Sequence, residues 1–504
     1  MTELNTKPET GLDPADWNDI KNLGYQIIDD MVDYLKNVGE RPVWTPIPQH
    51  VKDEFKRPLP QTGSDIFSVY NEFKQNILPY PGGNIHPKHF SWVQGTGTPM
   101  GAFADLLCGV MNNNATIADQ SALYVDAQVI NWCKELMNYP ADGSGILVSG
   151  GSIANITALI VARNTIIANS KNAGVYSAAG KLTAYCSAET HNCLGKAAEV
   201  IGIGNEQLRK IPVTADFEID IEALKIKIAE DKAKGFIPFC IIGNAGTVNT
   251  GAIDPLDGLL QIARNENIWF HIDGAFGALA KLVPAYEHKL KAIEGADSVA
   301  FDLHKWMYMQ YEVGCVLFKN AAAHRKAFAT AVNYLTAHER GLAAGPETIS
   351  NYGMELSRGF KALKVWMSLK EHGLGKYREM IGQNINQAFY LGELIQQQPL
   401  LELMTPVTMN IVCYRFNPGD LDQQQLNTLN KELLMRMHET GVAGPSYTIL
   451  NGSYVIRVAI TNHRTRRHHL EEMIAGTIKL GEILMNEFDA KLFKFDFLTA
   501  VNSK

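Results

Sequence analysis

The sequence lacks an apolar run of the length that a membrane helix requires, which is about 20 residues. Its most apolar stretches are interrupted by charge, as Arg163 interrupts residues 156–168. The first five residues, Met1-Thr2-Glu3-Leu4-Asn5, also lack the charged segment and apolar core of a secretory signal peptide. We therefore expect neither a membrane span nor a signal peptide.

Disulfide and metal-site spacings are absent as well. The chain has seven cysteines, an odd number, and none forms a CxxC pair or a cluster with metal-ligand spacing. They are Cys108, Cys133, Cys186, Cys193, Cys240, Cys315 and Cys413. Because disulfides are rare in the cytosol, this pattern indicates reduced thiols in a cytoplasmic protein with no metal site.

An excess of positive charge is missing too, since the formal net charge is −7. Nucleic acids and anionic membranes bind broad basic surfaces, so the composition favours a small-molecule partner over either. With 504 residues, of which 46% are hydrophobic and 20% charged, the chain is long enough for more than one globular domain.

Between residues 88 and 380, short apolar runs alternate with helical stretches. This alternation predicts an α/β domain, with a mainly parallel sheet covered by helices on both faces. The predicted strands are 145–148, 183–187, 239–243, 268–272, 298–300 and 314–318. The predicted helices are 128–137, 153–168, 193–201, 221–234 and 259–265. Ligand sites of such sheets lie at the carboxyl ends of the strands.

The two ends of the chain have other patterns. Residues 1–87 predict a helical arm, because apolar residues recur at helical spacing from Asp13 and a proline-rich passage follows. Such an arm cannot bury its apolar stripes alone and should pack on the main body or on a second subunit. Residues 381–504 predict a small α+β domain.

Ser149-Gly150-Gly151-Ser152 lies between a predicted strand and a predicted helix. Free backbone N–H groups and the helix dipole favour an anion at such a turn, and the glycines allow a phosphate to approach closely. A plain strand-to-helix turn with Ser152 as the N-cap is the alternative. The segment is neither a Walker loop nor the GxGxxG turn of a dinucleotide-binding dehydrogenase.

Asp273 ends another predicted strand. A carboxylate there could hydrogen-bond the ring nitrogen of pyridoxal phosphate (PLP), so that the ring stays protonated and accepts electrons. The small residues Gly274 and Ala275 would leave room for a flat ring. An ordinary loop cap is the alternative.

Lys305, between His304 and Trp306, follows the predicted strand 298–300, and we place it in the loop before the next strand. A lysine there can form an imine with an aldehyde if its environment makes the amine nucleophilic; a solvated surface lysine is the alternative. His191 follows the predicted strand 183–187, where an imidazole could stack on a pyridine ring or hydrogen-bond a substrate carboxylate. Together with Asp273 and Ser149-Gly150-Gly151-Ser152, which we call the glycine turn, these residues predict a PLP site.

The chain resembles the group II PLP-dependent amino-acid decarboxylases, the family of aromatic-amino-acid, histidine and glutamate decarboxylases. The resemblance runs from about Asp13 to the last predicted helix. The residues that carry it are His86-Pro87 with Phe90, Gly95-Thr96-Gly97-Thr98, Ser149-Gly150-Gly151-Ser152 with Ala154-Asn155, His191, Gly246-Thr247, His271-Ile272-Asp273 and Asp302-Leu303-His304-Lys305-Trp306.

The resemblance implies PLP fold-type I and a homodimer whose active site lies at the subunit interface, with the N-terminal arm swapped around the partner. It also implies roles for individual residues. Lys305 would form the imine with the cofactor, Asp273 would pair with the ring nitrogen, and His191 would stack on the ring. Phosphate contacts would come from Gly150, Gly151 and Ser152, while Ala275 would pack on the ring face and Thr247 and His304 would lie near the cofactor.

The family also has a mobile catalytic loop that carries a tyrosine. The matching stretch is 327–353, and Tyr334 is the matching residue. A tyrosine that only anchors the loop is the alternative for Tyr334, and Tyr352 is its competitor for the catalytic role.

Three positions bear on the substrate. Trp92 matches an aromatic pocket residue of the aromatic decarboxylases, although a buried core tryptophan is its alternative. Ser357 matches a position where relatives vary between glycine for bulkier indole substrates and serine for smaller phenolic or imidazole ones, and a helix N-cap is its alternative. Asp302 departs from the family, in which asparagine is more frequent. A further departure is that residues 111–116 lack the aromatic side chains that aromatic decarboxylases place there.

We therefore predict a lyase of amino-acid metabolism that converts an L-amino acid, with an aromatic or imidazole side chain favoured, to the amine and CO2. The alternatives are oxidative decarboxylation-deamination to an aldehyde, decarboxylation of an acidic amino acid and, in a different class, a non-catalytic PLP-binding scaffold. The presence of Tyr334 argues against the aldehyde product, since related enzymes make it when that tyrosine is phenylalanine.

The loop tyrosine generates the first testable prediction. After CO2 leaves, Cα must receive a proton, which a tyrosine hydroxyl on a closing loop can supply while the loop excludes water and oxygen. Tyr334→Phe should therefore make less amine and gain aldehyde, ammonia and hydrogen peroxide, with oxygen consumed in step. A peroxide-coupled assay in air and under nitrogen checks this; amine formation at the wild-type rate without oxygen uptake would remove Tyr334 from the mechanism.

Overall fold

A computed structural model describes residues 10–167, 169–330 and 338–501, with side chains of the last helix described up to Glu487. The chain forms two compact units, one ending at Gly83 and the other beginning at Asn84. In the part of the chain that the structure describes, no helix has both the length and the apolar character needed to cross a membrane.

The first unit is helical. Its helices are α1 (Trp17–Lys36), α2 (Gln49–Glu54) and α3 (Ile66–Asn76). Asp16 caps α1 by accepting a hydrogen bond from the backbone N–H of Asn18 at 2.8 Å. Asp30 of α1 joins it to α3 by accepting hydrogen bonds from Tyr70 and Lys74, both at 2.8 Å. Helix α1 buries none of its residues within the single chain.

The second unit contains two sheets and the helices around them. In chain order its elements are β1 (His89–Phe90), α4 (Pro99–Met111), α5 (Ser121–Leu136), β2 (Ser144–Val148), α6 (Gly151–Ile166), α7 (Ser170–Ala173), β3 (Leu182–Ser187), α8 (Cys193–Val200), β4 (Leu208–Ile211), α9 (Ile221–Ala233), β5 (Ile237–Asn244), α10 (Leu256–Glu266), β6 (Trp269–Asp273), α11 (Pro284–Glu287), β7 (Ser298–Asp302), α12 (Leu303–Trp306), β8 (Gly314–Phe318), α13 (Ala321–Phe328), α14 (Ala362–Gln396), β9 (Leu401–Leu403), β10 (Ile411–Phe416), α15 (Gln423–Glu439), β11 (Gly444–Leu450), β12 (Ser453–Ala459) and α16 (Arg467–Val501).

The larger sheet has the strand order β2-β8-β7-β6-β5-β3-β4. Strand β8 runs antiparallel to both of its neighbours, and the remaining pairs are parallel, so the predicted mainly parallel sheet is confirmed. Side chains of a strand point alternately to the two faces. In β5, Ile241 accordingly enters one apolar core, whereas Cys240 and Ile242 enter another. Both faces of the sheet are therefore covered, as its apolar strands require.

The smaller sheet has the order β1-β11-β12-β10-β9 and its own apolar core, to which α14, α15 and α16 contribute. Strand β1 pairs in parallel with β11, although more than 350 residues separate the paired His89 and Gly444. The predicted boundary between the large and small domains, at residues 380–381, falls within α14, and it stays a prediction.

Several elements differ from the sequence-based expectation. Strand β4 was not predicted, because only Leu208 and Ile211 of its residues are apolar and buried. Helix α4 was also missed, since its glycines and exposed apolar face weaken the usual pattern. Lys305 lies on the single helical turn α12 rather than in an irregular loop.

Helix α14 consists of two helical segments that meet at Gly373. Gly373 has φ 67° and ψ 159°, a conformation that is essentially restricted to glycine. Gly375, two residues later, is helical, and a Cβ at either position would have no atom within 4 Å. The two glycines therefore differ in backbone conformation and not in available space.

This pair gives a prediction about stability. Gly373→Ala should lower the free energy of unfolding by about 1–3 kcal/mol, because alanine is strained in that conformation. The matched variant Gly375→Ala should be neutral or stabilise the protein by up to about 1 kcal/mol, since alanine is preferred in a helix. Calorimetric melting of both variants checks this, and equal shifts in Tm would contradict it.

Candidate active site

The site lies where the carboxyl ends of β2, β3, β5, β6 and β7 meet at one edge of the larger sheet. A cavity of about 520 Å³ opens there. Parallel strands bring their carboxyl ends to the same edge, and this geometry gathers residues that are far apart in sequence. The cavity wall includes Gly150, His191, Asp273 and Lys305.

Lys305 and Asp302 form an ion pair in the wall of the cavity, with 2.8 Å between Nζ and Oδ2. The Asp302 side chain is 1% exposed. Burial lowers the pKa of Lys305, but the charge and hydrogen bond of Asp302, together with the charge of Asp273, outweigh burial and leave that pKa above its usual 10.5. The second oxygen of Asp302, Oδ1, is buried and has no hydrogen-bond partner among the described residues.

The glycines of the turn after β2 allow this close packing. A Cβ on Gly150 would lie 3.0 Å from Cε1 of His304, and one on Gly151 would lie 3.0 Å from Oδ2 of Asp302. Across the turn, a Cβ on Gly314 would lie 2.6 Å from Oδ1 of Asp302. The turn leads directly into α6, whose first backbone N–H groups have no partner within the helix and are suited to an anion.

His304 is held by the chain around it. Its Nδ1 accepts a hydrogen bond from the backbone N–H of Val313 at 3.1 Å, so the proton of the neutral ring lies on Nε2, which is 3.7 Å from Oδ2 of Asp302. Its ring packs on that of Tyr311, with 4.3 Å between centroids. Burial lowers the pKa of His304.

Asp273 ends β6 and faces the cavity. Its Oδ1 accepts a hydrogen bond from the backbone N–H of Ala275 at 3.1 Å, and its Oδ2 accepts one from Nδ2 of Asn155 at 3.0 Å. Burial raises the pKa of the Asp273 carboxyl, while the charge of Lys305 and these hydrogen bonds oppose that effect. Ala275 also lines the cavity.

Of the other predicted cofactor residues, His191 and Ser152 line the cavity and Thr247 does not. His191 follows β3 and lines the cavity, and its Nδ1 accepts a hydrogen bond from the backbone N–H of Cys193. Thr247, by contrast, directs its hydroxyl to Thr250 within its own turn at 2.9 Å and is not part of the cavity wall. Ser152 lies in the first turn of α6 and lines the cavity.

Residues predicted to affect substrate choice also differ in position. Trp92 lines the cavity but is 63% exposed, so it is not the buried core tryptophan that was its alternative. Ser357 is exposed, lies outside the cavity wall of the single chain and does not cap α14, which begins at Ala362. Tyr334 lies outside the described residues. Its competitor Tyr352 donates a hydrogen bond to Glu347 at 2.9 Å and is not part of the cavity wall.

Arg457 is a cavity residue that the sequence analysis missed. It lies on β12 and is 4% exposed, with Nε donating to the carbonyl of Asn249 and Nη1 to that of Trp92. Its Nη2 is buried without a hydrogen-bond partner among the described residues. Burial lowers the pKa of Arg457 to about 10. An arginine within an otherwise apolar strand was the sequence signal that could have found it.

These residues fit PLP. The glycine turn and the start of α6 provide an anion site, Lys305 provides an amine, and Asp273 provides a carboxylate for a ring nitrogen. The donors and the acid lie in the wall of one cavity, so a single cofactor can contact them together.

Comparison with known proteins agrees with this fit. Residues 48–417 match the family described as "Pyridoxal-dependent decarboxylase conserved domain". The chain is similar to an aromatic-L-amino-acid decarboxylase of Bacillus atrophaeus, with 34% identity over 92% of this chain and 95% of the relative. It is also similar to a phenylacetaldehyde synthase of a Rosa hybrid cultivar, with 26% identity over 92% of this chain and 93% of the relative.

Solved structures show the same fold. Oryza sativa TDC with PLP and tryptamine superposes with a TM-score of 0.86 at 23% identity, covering 94% of this chain and 100% of that chain. Catharanthus roseus tryptophan decarboxylase in complex with L-tryptophan superposes with a TM-score of 0.83 at 24% identity, with the same coverage.

The ion pair gives a prediction about Lys305. Asp302→Asn removes the negative charge but keeps the side-chain size, so burial should then lower the pKa of the amine. Because the neutral amine is the form that attacks an aldehyde, the variant should react with PLP at lower pH than the wild type. The measurement is the rate of borohydride-trapped product on Lys305 as a function of pH, followed by mass spectrometry.

Glu312→Gln is the matched control, because Glu312 also lines the cavity but pairs with Lys361 at 2.9 Å. Its pH profile should coincide with that of the wild type. Coincident profiles for Asp302→Asn and the wild type would show that this ion pair does not govern the amine.

Proposed function

The chain belongs to the pyridoxal-dependent decarboxylase family, and from this premise we propose that it removes the α-carboxylate of an aromatic L-amino acid as CO2 and releases the amine. PLP is the cofactor, and the activity is that of a carboxy-lyase. The observation that carries the proposal is the presence of Lys305, Asp273 and the glycine turn in the wall of one cavity.

Bound PLP supplies an aldehyde that links covalently to an amine and a ring that accepts the electrons of the bond to the departing carboxylate. Lys305 is the amine in the cavity wall that would form that link, and its amine could also accept or donate a proton when it is not linked. Asp273 would accept a hydrogen bond from the protonated ring nitrogen and so keep that nitrogen protonated. The backbone of Gly150 and Gly151 and the hydroxyl of Ser152 bind the phosphate.

Three further residues near the cavity complete the proposed site. His191 would stack on the ring of bound PLP, and His304, which lies beside Asp302, would be near the cofactor. Nη2 of Arg457, which has no partner among the described residues, is available to an anionic group of the amino acid. Because the guanidinium is already fixed by two carbonyl oxygens, little side-chain entropy is lost on binding.

An aromatic side chain on the substrate is supported by two observations. Trp92, Phe276 and Tyr447 contribute aromatic rings to the cavity wall. The relative with 34% identity is an aromatic-L-amino-acid decarboxylase. Ser357 stays a candidate for tuning the size of that side chain. The phenylacetaldehyde synthase among the relatives keeps oxidative decarboxylation as the second candidate reaction.

A homodimer with the active site at its interface is part of the proposal. Helix α4 exposes an apolar face on the single chain, formed by Phe103, Leu106, Leu107, Val110 and Met111. Patches of this kind mark protein interfaces. At the cavity, Trp92 and Tyr447 are 63% and 56% exposed, so a partner subunit would have large aromatic surfaces to cover. Arm helix α1 likewise exposes Trp17 and Tyr25, in keeping with a swapped arm.

We place the enzyme in the cytoplasm on the basis of its thiols. All seven cysteines lie within the described residues and are free. Disulfides are rare in the cytosol, so unpaired cysteines are typical of proteins from that compartment.

Replacement of Lys305 tests the proposed function. Lys305→Arg keeps the charge beside Asp302 but cannot form the covalent link, and Lys305→Ala removes both. Both variants should lose decarboxylation by on the order of 10³-fold or more. In the wild type, borohydride should fix PLP to the peptide that contains Lys305, as seen by mass spectrometry. PLP fixed to another lysine, or near-normal turnover of either variant, would end this assignment.

A further inference from the structure

A chain of buried hydrogen bonds leads from Asp273 away from the cavity. Nδ2 of Asn155 donates to Oδ2 of Asp273 at 3.0 Å, and Oδ1 of Asn155 lies 2.8 Å from Nε2 of His271. Nδ1 of His271 lies 2.9 Å from Oγ of Ser298, which accepts a hydrogen bond from Nε1 of Trp269 at 2.8 Å. Asn155, His271 and Ser298 are all 0% exposed, so water cannot replace these partners.

The charge of Asp273 determines which atoms of Asn155 and His271 carry the protons in these hydrogen bonds. An ionised carboxylate only accepts hydrogen bonds, so the amide of Asn155 must point its NH2 group towards Asp273 and its oxygen towards His271. That oxygen also only accepts, and Nε2 of His271 must therefore carry a proton. The second N–H of the Asn155 amide is directed to Sγ of Cys193 at 3.4 Å, which agrees with this orientation.

At the far end of this series of hydrogen bonds, beyond His271, the donors also point towards Asp273. Burial lowers the pKa of His271 to about 3, so the ring is neutral and its Nδ1 accepts. The hydroxyl of Ser298 must then donate to Nδ1, which leaves its oxygen to accept from Trp269. An indole N–H can only donate. Every bond from Trp269 to Asp273 therefore points towards the carboxylate.

This polarity matters because Asp273 is buried, and burial by itself favours the neutral carboxyl group. A neutral carboxyl could not balance a protonated ring nitrogen. The N–H groups of Asn155 and Ala275 both favour the ionised form, one on each oxygen. They also fix the plane of the carboxylate, and so the direction in which it accepts a hydrogen bond from a group in the cavity.

We propose that Asn155 and His271 are positioning residues that hold Asp273 as an oriented carboxylate for the ring nitrogen of the cofactor, with Ser298 and Trp269 fixing the tautomer of His271. The inference rests on the proposed function, because it assumes that PLP binds here. Asn155 lies one turn into α6, the helix that begins at the glycine turn. The same helix therefore links the phosphate site to the acid that faces the ring.

The test is nitrogen NMR of the holoenzyme loaded with PLP that carries ¹⁵N in its ring, because the chemical shift reports protonation of that nitrogen directly. In the wild type the ring should be protonated at neutral pH. In Asn155→Ala, the pH at which the ring loses its proton should fall by about one unit or more, a tenfold change in the protonation equilibrium. Asp273→Asn should give the largest decrease in that pH, since it removes the negative charge itself.

The near-isosteric variant Asn155→Leu covers the case in which the alanine variant does not fold. It keeps about the same side-chain shape, lacks the NH2 donor and adds no charge beside Asp273, so it should also lower the pH of ring deprotonation. His271→Ala should shift it in the same direction, because Asn155 would lose the donor that orients its amide.

Asn430→Ala is the matched control. Asn430 is also 0% exposed and hydrogen-bonded, but its partners are backbone atoms of Phe416 in the smaller sheet and of Leu426 in α15. It should lose stability without a change in ring protonation. If Asn155→Ala and Asn155→Leu titrate like the wild type, the inference is wrong. If wild-type PLP is not fixed to Lys305 by borohydride, the proposed function fails instead.

Discussion

The contact between the glycine turn and the buried carboxylate of Asp302 is the constraint on which the site depends. Gly150, Gly151 and Gly314 surround this carboxylate so closely that a Cβ on any of them would lie within 3.7 Å of one of its oxygens. Asp302 in turn holds Nζ of Lys305 at 2.8 Å. The turn after β2 and the turn after β7 are thereby locked together, and the anion site and the amine are placed in one cavity.

Charge balance within the cavity follows from this arrangement. Two buried carboxylates, Asp273 and Asp302, face one lysine. A buried charge without a partner costs several kcal/mol, so each carboxylate requires its own cation. Lys305 neutralises the charge of Asp302, and a protonated cofactor ring would neutralise that of Asp273. The charges of this site therefore favour a ligand with a basic ring nitrogen over a neutral one.

Much of this arrangement was predictable from the sequence. The strands at 145–148, 183–187 and 268–272 and the residues that follow them were identified, because apolar strands and glycine turns are local signals. Residues that act through long-range packing were not. Arg457 reaches the cavity from β12 of the smaller sheet, and Asn155 reaches Asp273 from the buried side of α6. The arginine in an apolar strand and the Ala154-Asn155 pair after the glycine turn are local signals, but neither shows that the residue reaches the cavity or Asp273. Thr247 was likewise placed by its own turn, in which its hydroxyl is hydrogen-bonded to that of Thr250.

The central claim is that this cavity carries out simple decarboxylation of an aromatic L-amino acid. The most direct test is to incubate the PLP-loaded enzyme with each aromatic L-amino acid carrying ¹³C in its carboxyl group and to count labelled CO2, amine, aldehyde and peroxide together. The account predicts CO2 and amine in equal amounts, in air and under nitrogen alike, with neither aldehyde nor peroxide. Aldehyde and peroxide that match the CO2 and disappear under nitrogen would contradict it, as would the absence of labelled CO2 from every substrate.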